Sequence, residues 1–174
     1  MCLKALLLYI VHFMNPRSGI GFDIHRFRRG RKLVLGGVLV PHSKGLDGHS
    51  DADVLVHAVM DALLGSIGES DIGHFFPNTD RKWKDVSSLK MLSAVAAVLR
   101  KRRARIINID STVIAQVPKI AAYIPQMKLK IADVLGIKAS DISIKATTSE
   151  RLGALGRSEG IAAMSVVSVL APGR

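Results

Sequence analysis

Cysteine is almost missing from this sequence: Cys2 is the only one in 174 residues. A single thiol closes no internal disulfide, so a disulfide-stapled scaffold is excluded and a reducing compartment fits, which points to the cytoplasm. Aromatic residues are scarce as well, 5% of a chain that is 48% hydrophobic. Branched aliphatic side chains and alanine must therefore fill the core, and one compact domain is the expectation for this length. Acidic residues are outnumbered, 14 Asp and Glu against 25 Lys and Arg, leaving a net charge of +11. Such a balance favours an anionic partner: nucleic acid, an anionic membrane surface or a phosphorylated small molecule. Charge alone does not choose among them.

Long apolar runs are also lacking. The stretch at 5–14 falls well short of the roughly 20 residues that cross a bilayer, so no membrane partner is expected. Lys4 and the leucines behind it imitate the start of an export signal, but Phe13-Met14-Asn15-Pro16 offers no small-residue cleavage site. Residues 1–16 are read as an N-terminal extension, or as translation begun upstream of Met14, and a plastid-type organelle stays open. Residues 17–172 are read as the domain.

From Gly19 onward the pattern acquires a period. Ile20, Phe22 and Ile24 alternate with Gly21, Asp23 and His25, which predicts a strand with an apolar face and places Asp23 and His25 together on the other. A second strand is predicted over 33–40, stopped by Pro41. Ser50 reads as a helix N-cap, with Asp51 and Asp53 in the first turn and the helix running to about Leu64. On it Asp53, His57 and Asp61 recur every four residues, a polar stripe on an otherwise apolar helix. Residues 65–80 read as a long functional connection. A further helix is predicted from about Asp85 into the basic run 100–103, a strand over 106–115, a helix after Pro125 stopped by Gly136, and strands over 142–146 and 161–170. The order ββααβαββ predicts an α+β fold, a single-domain α/β sandwich with the sheet on one side and helices on the other.

Two groups of residues carry chemistry. Asp23 and His25 on a strand with His57 on a helix form a common three-ligand set for catalytic zinc, with the fourth position open. Taken alone, D-x-H is frequent by chance, and a lone helical histidine is more often a core residue. Lys145-Ala146-Thr147-Thr148-Ser149-Glu150 places hydroxyls, backbone amides and a carboxylate at a strand end. That suits phosphate oxygens and a divalent ion, although an ordinary turn has the same composition.

Together these segments resemble the 2-C-methyl-D-erythritol 2,4-cyclodiphosphate synthase family of the non-mevalonate isoprenoid pathway. The matching pieces are GFDIHRF, GLDGHSDADVLVHAVMDALLG, ESDIGHFFPNTD, NIDSTVIAQVPK, IPQM, KATTSERLG and GRSEGIA, in family order over about four-fifths of the chain. The resemblance implies a phosphorus-oxygen lyase in which the 2-phosphate of 4-diphosphocytidyl-2-C-methyl-D-erythritol 2-phosphate attacks the β-phosphorus and expels CMP. Asp23, His25 and His57 match the zinc ligands, and Glu150 matches the contact to a second ion, Mg2+ or Mn2+. His49 and Thr148 match residues that stabilise the transition state. Asp71, Ile72, Gly73, Phe76, Pro77, Asn78, Thr79 and Asp80 match the methylerythritol phosphate site. Ala115, Gln116, Val117, Pro118, Lys119, Ile120 and Ala121, with Thr147 and Thr148, match the cytidine pocket. Ile24, Ser50, Asp61, Ser149, Ala154 and Arg157 complete the implied substrate contacts, and the resemblance further implies a homotrimer with active sites between subunits.

Three departures stand out. Ala154 sits where the family often has an aromatic residue, Asn78 replaces a frequent aspartate, and Met164 replaces a glutamate that in many members faces the trimer's central cavity opposite Arg157, so prenyl-diphosphate binding in that cavity is not carried over to this chain. Two other readings compete. A basic nucleic-acid-binding module would use the clusters at 26–32 and 100–105, but these contain only Phe27 as an aromatic and no known signature. A structural metal protein would fill four protein positions, frequently with cysteine, and only three ligands are evident.

Overall fold

The computed structural model describes residues 14–173. Most of the expected N-terminal extension lies outside them, but Met14, Asn15 and Pro16 open the first strand, paired with Pro172, Ala171 and Leu170. That strand, β1 (Met14–Arg29), is followed by β2 (Leu33–Leu35), β3 (Val38–Val40) and β4 (Lys44–Leu46). Next come α1 (Val54–Ser66), α2 (Ile72–Phe75), α3 (Ser88–Lys101) and β5 (Arg105–Ile114). The chain closes with α4 (Ile124–Leu135), β6 (Ile142–Thr147), α5 (Gly153–Gly156) and β7 (Gly160–Pro172). The main sheet has the order β4-β1-β7-β5-β6. It is antiparallel except where β6 lies parallel to β5, and α4 provides the crossover that a parallel pair requires. Among the described residues no helix is long and apolar enough to cross a membrane.

The α+β layering matches expectation, with α1 packed on β1 and β7 and covered in turn by α3. Which face of β1 is buried follows from its glycines. A Cβ on Gly19 would lie 2.0 Å from the Ala62 carbonyl oxygen, and one on Gly21 would lie 2.0 Å from that of Ala58. The backbone of α1 therefore rests directly on β1, which explains why almost every residue of that helix is buried. Each large aliphatic side chain it carries contributes about 2 kcal/mol of apolar burial. Asp23 and His25 share this inward face, and the apolar alternation points the other way. Ile20, Phe22 and Ile24 remain 66%, 55% and 52% exposed, beside Met164 and Val166 on β7 at 42% and 44%.

Several predicted boundaries are corrected. Residues 33–40 form a hairpin rather than one strand, because Gly36 and Gly37 both take positive φ (56° and 72°) and reverse the chain between β2 and β3. The N-cap of α1 is Asp53, not Ser50, since the Asp53 side chain accepts the Val56 N–H. The helix expected from Asp85 begins at Ser88 behind a Ser87 cap, with Asp85 itself at φ 57°. The three-residue β4 and the one-turn helices α2 and α5 carry too few residues to show a period.

Candidate metal centre and active site

β1 and α1 bring the first group of residues together. Asp23 Oδ2 lies 2.9 Å from His25 Nε2 and 2.9 Å from His57 Nδ1, and the two ring nitrogens are 3.2 Å apart. Ligands about 2.0 Å from a tetrahedral zinc are spaced about 3.3 Å apart, so this donor set suits that ion with little adjustment. All three residues sit at the inner face where α1 crosses β1. Gly48 leaves room for the imidazole, since a Cβ there would lie 3.2 Å from His25 Cε1.

Electrostatics tie the cluster together. Burial would raise the Asp23 carboxyl, but hydrogen bonds and charge from His25 and His57 outweigh it and hold the group well below the usual carboxylate range. Burial would lower His25, yet the hydrogen bond and charge of Asp23 lift it above its ordinary 6.5. Its proton therefore stabilises the metal-free fold below 6.5, and that contribution fades as pH rises through the raised value. A metal must displace the same proton, so zinc affinity is expected to run oppositely, falling about tenfold per pH unit below the raised value. Chelator competition at pH 8 and pH 6 measures it.

Asp53 heads the polar stripe but does not belong to the cluster. Fully buried, it accepts N–H groups from Gly36 at 2.9 Å, Gly37 at 2.6 Å and Val56 at 3.1 Å, tying the β2–β3 hairpin to the start of α1. Burial and the neighbouring Asp51 charge push it up to about 6, against the pull of those amides. Asp53→Ala would strand buried donors as well as remove the cap, at about 3 kcal/mol, and a melting temperature lowered by roughly 10 °C is expected. Asp61, one turn past His57, accepts the Ile72 N–H at 2.8 Å. Thus it anchors the loop that begins α2, and burial raises its carboxyl.

A cavity of about 210 Å³ opens beside the cluster, lined by Asp23, His25, Gly48, His49, Ser50, His57, Ile72, Gly73, Phe76, Asn78, Trp83 and Met91. It unites the three candidate ligands with His49, Ser50 and part of the loop expected to receive a polyol phosphate. Asp71 is the N-cap of α2, while Asp80 is held below its usual range by Lys82. Pro77 and Thr79 are exposed in the same connection.

The second group lies elsewhere. Thr147 ends β6, where its carbonyl accepts the Ala115 N–H at 2.9 Å. Thr148 Oγ1 donates to Glu150 Oε1 at 2.8 Å, and the Arg151 N–H reaches Gln116 Oε1 at 3.3 Å. This joins 115–121 to 147–151, with Ala115 and Ile120 buried and Thr147, Thr148, Glu150 and Arg151 exposed, and Glu150 and Arg151 held at φ 50° and 63°. Along the sheet, however, β7 and β5 separate β6 from β1. Three strand spacings of about 4.8 Å separate β1 from β6 by about 14 Å, and Thr148 and Glu150 follow the end of β6. Ile24, Ala154 and Arg157 border another depression with Phe27 and Lys44, which reaches the candidate cluster only at His25, and Arg157 Nε donates to Glu159 at 2.6 Å. Within one chain the candidate metal group and the Thr148–Glu150 group thus lie apart.

Residues 16–170 match the YgbB family. The chain belongs to that family. Among YgbB relatives, the 2-C-methyl-D-erythritol 2,4-cyclodiphosphate synthase of Caldicellulosiruptor bescii is 56% identical over 88% of this chain and 98% of its own length. The synthase of Alkaliphilus metalliredigens is also 56% identical, over 88% and 96%. Among solved structures, the bifunctional IspDF of Campylobacter jejuni superposes with TM-score 0.87 at 40% identity, covering 91% of this chain and 43% of that one. The Plasmodium falciparum IspF CDP complex superposes with TM-score 0.79 at 34% identity, over 92% and 98%. The fold also places three residues that sequence reasoning did not assign to the site, Gly48, Trp83 and Met91, in the cavity wall. Trp83 packs edge-on against Phe76 at 4.7 Å. Its being the only tryptophan was the one available signal.

Proposed function

We propose that this chain converts 4-diphosphocytidyl-2-C-methyl-D-erythritol 2-phosphate to 2-C-methyl-D-erythritol 2,4-cyclodiphosphate and CMP. It is an enzyme of the phosphorus-oxygen lyase class, in the non-mevalonate isoprenoid pathway. Relatives of that name at 53 to 56% identity support the assignment, and no observation favours a nucleic-acid-binding module. The observation that carries the reading is the convergence of Asp23, His25 and His57 on one edge of a small cavity.

The substrate supplies its own nucleophile, so the protein's task is placement. Asp71, Ile72, Gly73 and the loop through Asp80 hold the methylerythritol phosphate, and Asp61 fixes that loop by its bond to Ile72. Residues 115–121 with Thr147 and Thr148 take the cytidine, in keeping with the CDP held by the Plasmodium falciparum relative. Confining both reacting phosphates removes much of the entropic barrier to ring closure. His49 and Thr148 donate hydrogen bonds to charge developing on the phosphoryl oxygens. Zinc held by Asp23, His25 and His57, with Mg2+ or Mn2+ at Glu150, supplies Lewis-acid polarisation and charge neutralisation when bound. Three protein ligands leave a position open, which favours catalysis over a purely structural ion.

The active unit is a homotrimer of the 17–172 domain, with each site shared between neighbours. Two features support it: the uncovered apolar face of Ile20, Phe22, Ile24, Met164 and Val166, and the separation of the two halves of the site within one chain. Glu150 alone offers only one carboxylate and needs substrate phosphates to complete a magnesium shell. The single cysteine supports a cytoplasmic location. Incubation with the diphosphocytidyl substrate, zinc and magnesium should release CMP and the cyclic product. A folded trimer that yields neither would refute the assignment.

A further inference from the structure

Behind His57, on the side away from Asp23, lies a second chain of polar groups. His57 Nε2 is 3.0 Å from Ser88 Oγ and 3.1 Å from Ser50 Oγ. Both serines are buried, and Ser88 is wholly so. The Asp51 carboxylate receives two bonds from Ser88: the backbone N–H reaches Oδ2 at 3.0 Å, and the hydroxyl makes a short bond to Oδ1. Ser50 Oγ in turn accepts the Ala52 N–H at 3.2 Å.

Proton bookkeeping then sets the tautomer of His57. An ionised carboxylate only accepts, so the one hydroxyl proton of Ser88 is committed to Asp51. Toward His57 the Ser88 oxygen presents lone pairs, and an N–H on Nε2 answers them; a bare Nε2 would set lone pair against lone pair across this 3.0 Å contact even with the Ser50 hydroxyl proton turned to it, whereas Ser50 Oγ can share the Nε2–H as a second acceptor. Nδ1 faces Asp23 and His25, and once a metal takes the place of its hydrogen bond to Asp23 the neutral ring keeps its proton on Nε2 and offers the Nδ1 lone pair. We propose that Asp51 and Ser88 are positioning residues that hold His57 in its Nε2–H form and aim Nδ1 at the metal. They touch neither substrate nor ion, and they act through the imidazole by fixing its orientation and raising its basicity. Their geometry is firmly built: Ser88 is the first residue of α3 and Asp51 is bonded through its own N–H to the Val86 carbonyl at 3.1 Å. The helix that covers α1 thus also supplies the hydroxyl that orients the α1 histidine.

This inference rests on reading Asp23, His25 and His57 as metal ligands, and the test separates the two. Zinc affinity is measured by chelator competition for the unaltered protein, Ser88→Ala and Asp51→Asn, alongside nitrogen-15 imidazole NMR of the zinc-loaded protein. Ser88→Ala is expected to bind zinc about 10- to 100-fold more weakly. Asp51→Asn is expected to lose at least as much, because an amide N–H aimed at Ser88 turns the hydroxyl proton toward Nε2 and selects the wrong tautomer. In the unaltered protein the His57 ring proton should sit on Nε2 and exchange slowly; Ser88→Ala should speed its exchange. An unaltered protein that binds no zinc refutes the metal centre, and the relay with it. Tight zinc binding that survives both substitutions, with ring-proton exchange unchanged, overturns the relay alone. Should neither variant fold, the unaltered protein still decides, since zinc on Nε2 with the proton on Nδ1 contradicts the proposal.

Discussion

His57→Ala is expected to lower CMP release by about a thousandfold while the helix and the assembled protein persist. The substitution removes Nδ1 and leaves Asp23 Oδ2 and His25 Nε2 as a two-point site. Loss of a bound Lewis acid removes several kcal/mol of transition-state stabilisation, which sets the size of the effect. Alanine is the best helix former and the ring occupies the rim of a cavity, so α1 should keep its fold. Turnover, circular dichroism and oligomeric state measured on one preparation make the comparison. Full turnover would refute the role of this imidazole, and collapse of the assembly together with activity would favour a structural ion instead.

Gly21→Ala is expected to destabilise the protein by at least about 3 kcal/mol, although it adds a single methyl group. The new Cβ would stand 2.0 Å from the Ala58 carbonyl oxygen and 2.7 Å from the Ala62 nitrogen. These are backbone atoms inside a helix and have no rotamer by which to withdraw, so α1 must lift off β1, beyond the usual range for overpacking. Lifting α1 would also draw His57 away from Asp23 and His25, so zinc affinity should fall with the melting temperature. Gly65→Ala, on the same helix, is the control. A Cβ there meets only the Ile20 oxygen at 4.0 Å, and the change should be neutral or stabilising by up to about 1 kcal/mol. Equal melting temperatures for the two variants would refute the close β1–α1 contact.

The site was readable where chemistry and period coincide. Asp23 and His25 stand two apart on a strand and share a face by geometry, and the four-residue spacing of Asp53, His57 and Asp61 put them along one side of a helix. Their tasks were not readable. Asp53 turns back to the Gly36-Gly37 hairpin, His57 turns to β1, and Asp61 reaches the Ile72 amide, because each position along α1 meets a different neighbour. Ser50 illustrates the same limit. Its type and place suggest a cap, but the chain continues for three residues before the helix begins, and its hydroxyl ends beside the imidazole. Ser88 gave no signal, being 31 positions from His57 and ordinary in its local setting.

By itself the sequence determined the α+β class, the placing of Asp23 and His25 on one face of a strand, and the family, through seven segments in fixed order. Local periodicity and residue chemistry suffice for those. Only the tertiary structure decided which face of β1 is buried. Alternation marks two faces without saying which one a helix covers, and here the contact is made by glycines that admit a backbone, leaving Ile20, Phe22 and Ile24 outside. Tertiary structure also decided that the metal group and the Thr148–Glu150 group lie apart in one chain, because strand order, which the sequence leaves open, puts β7 and β5 between them.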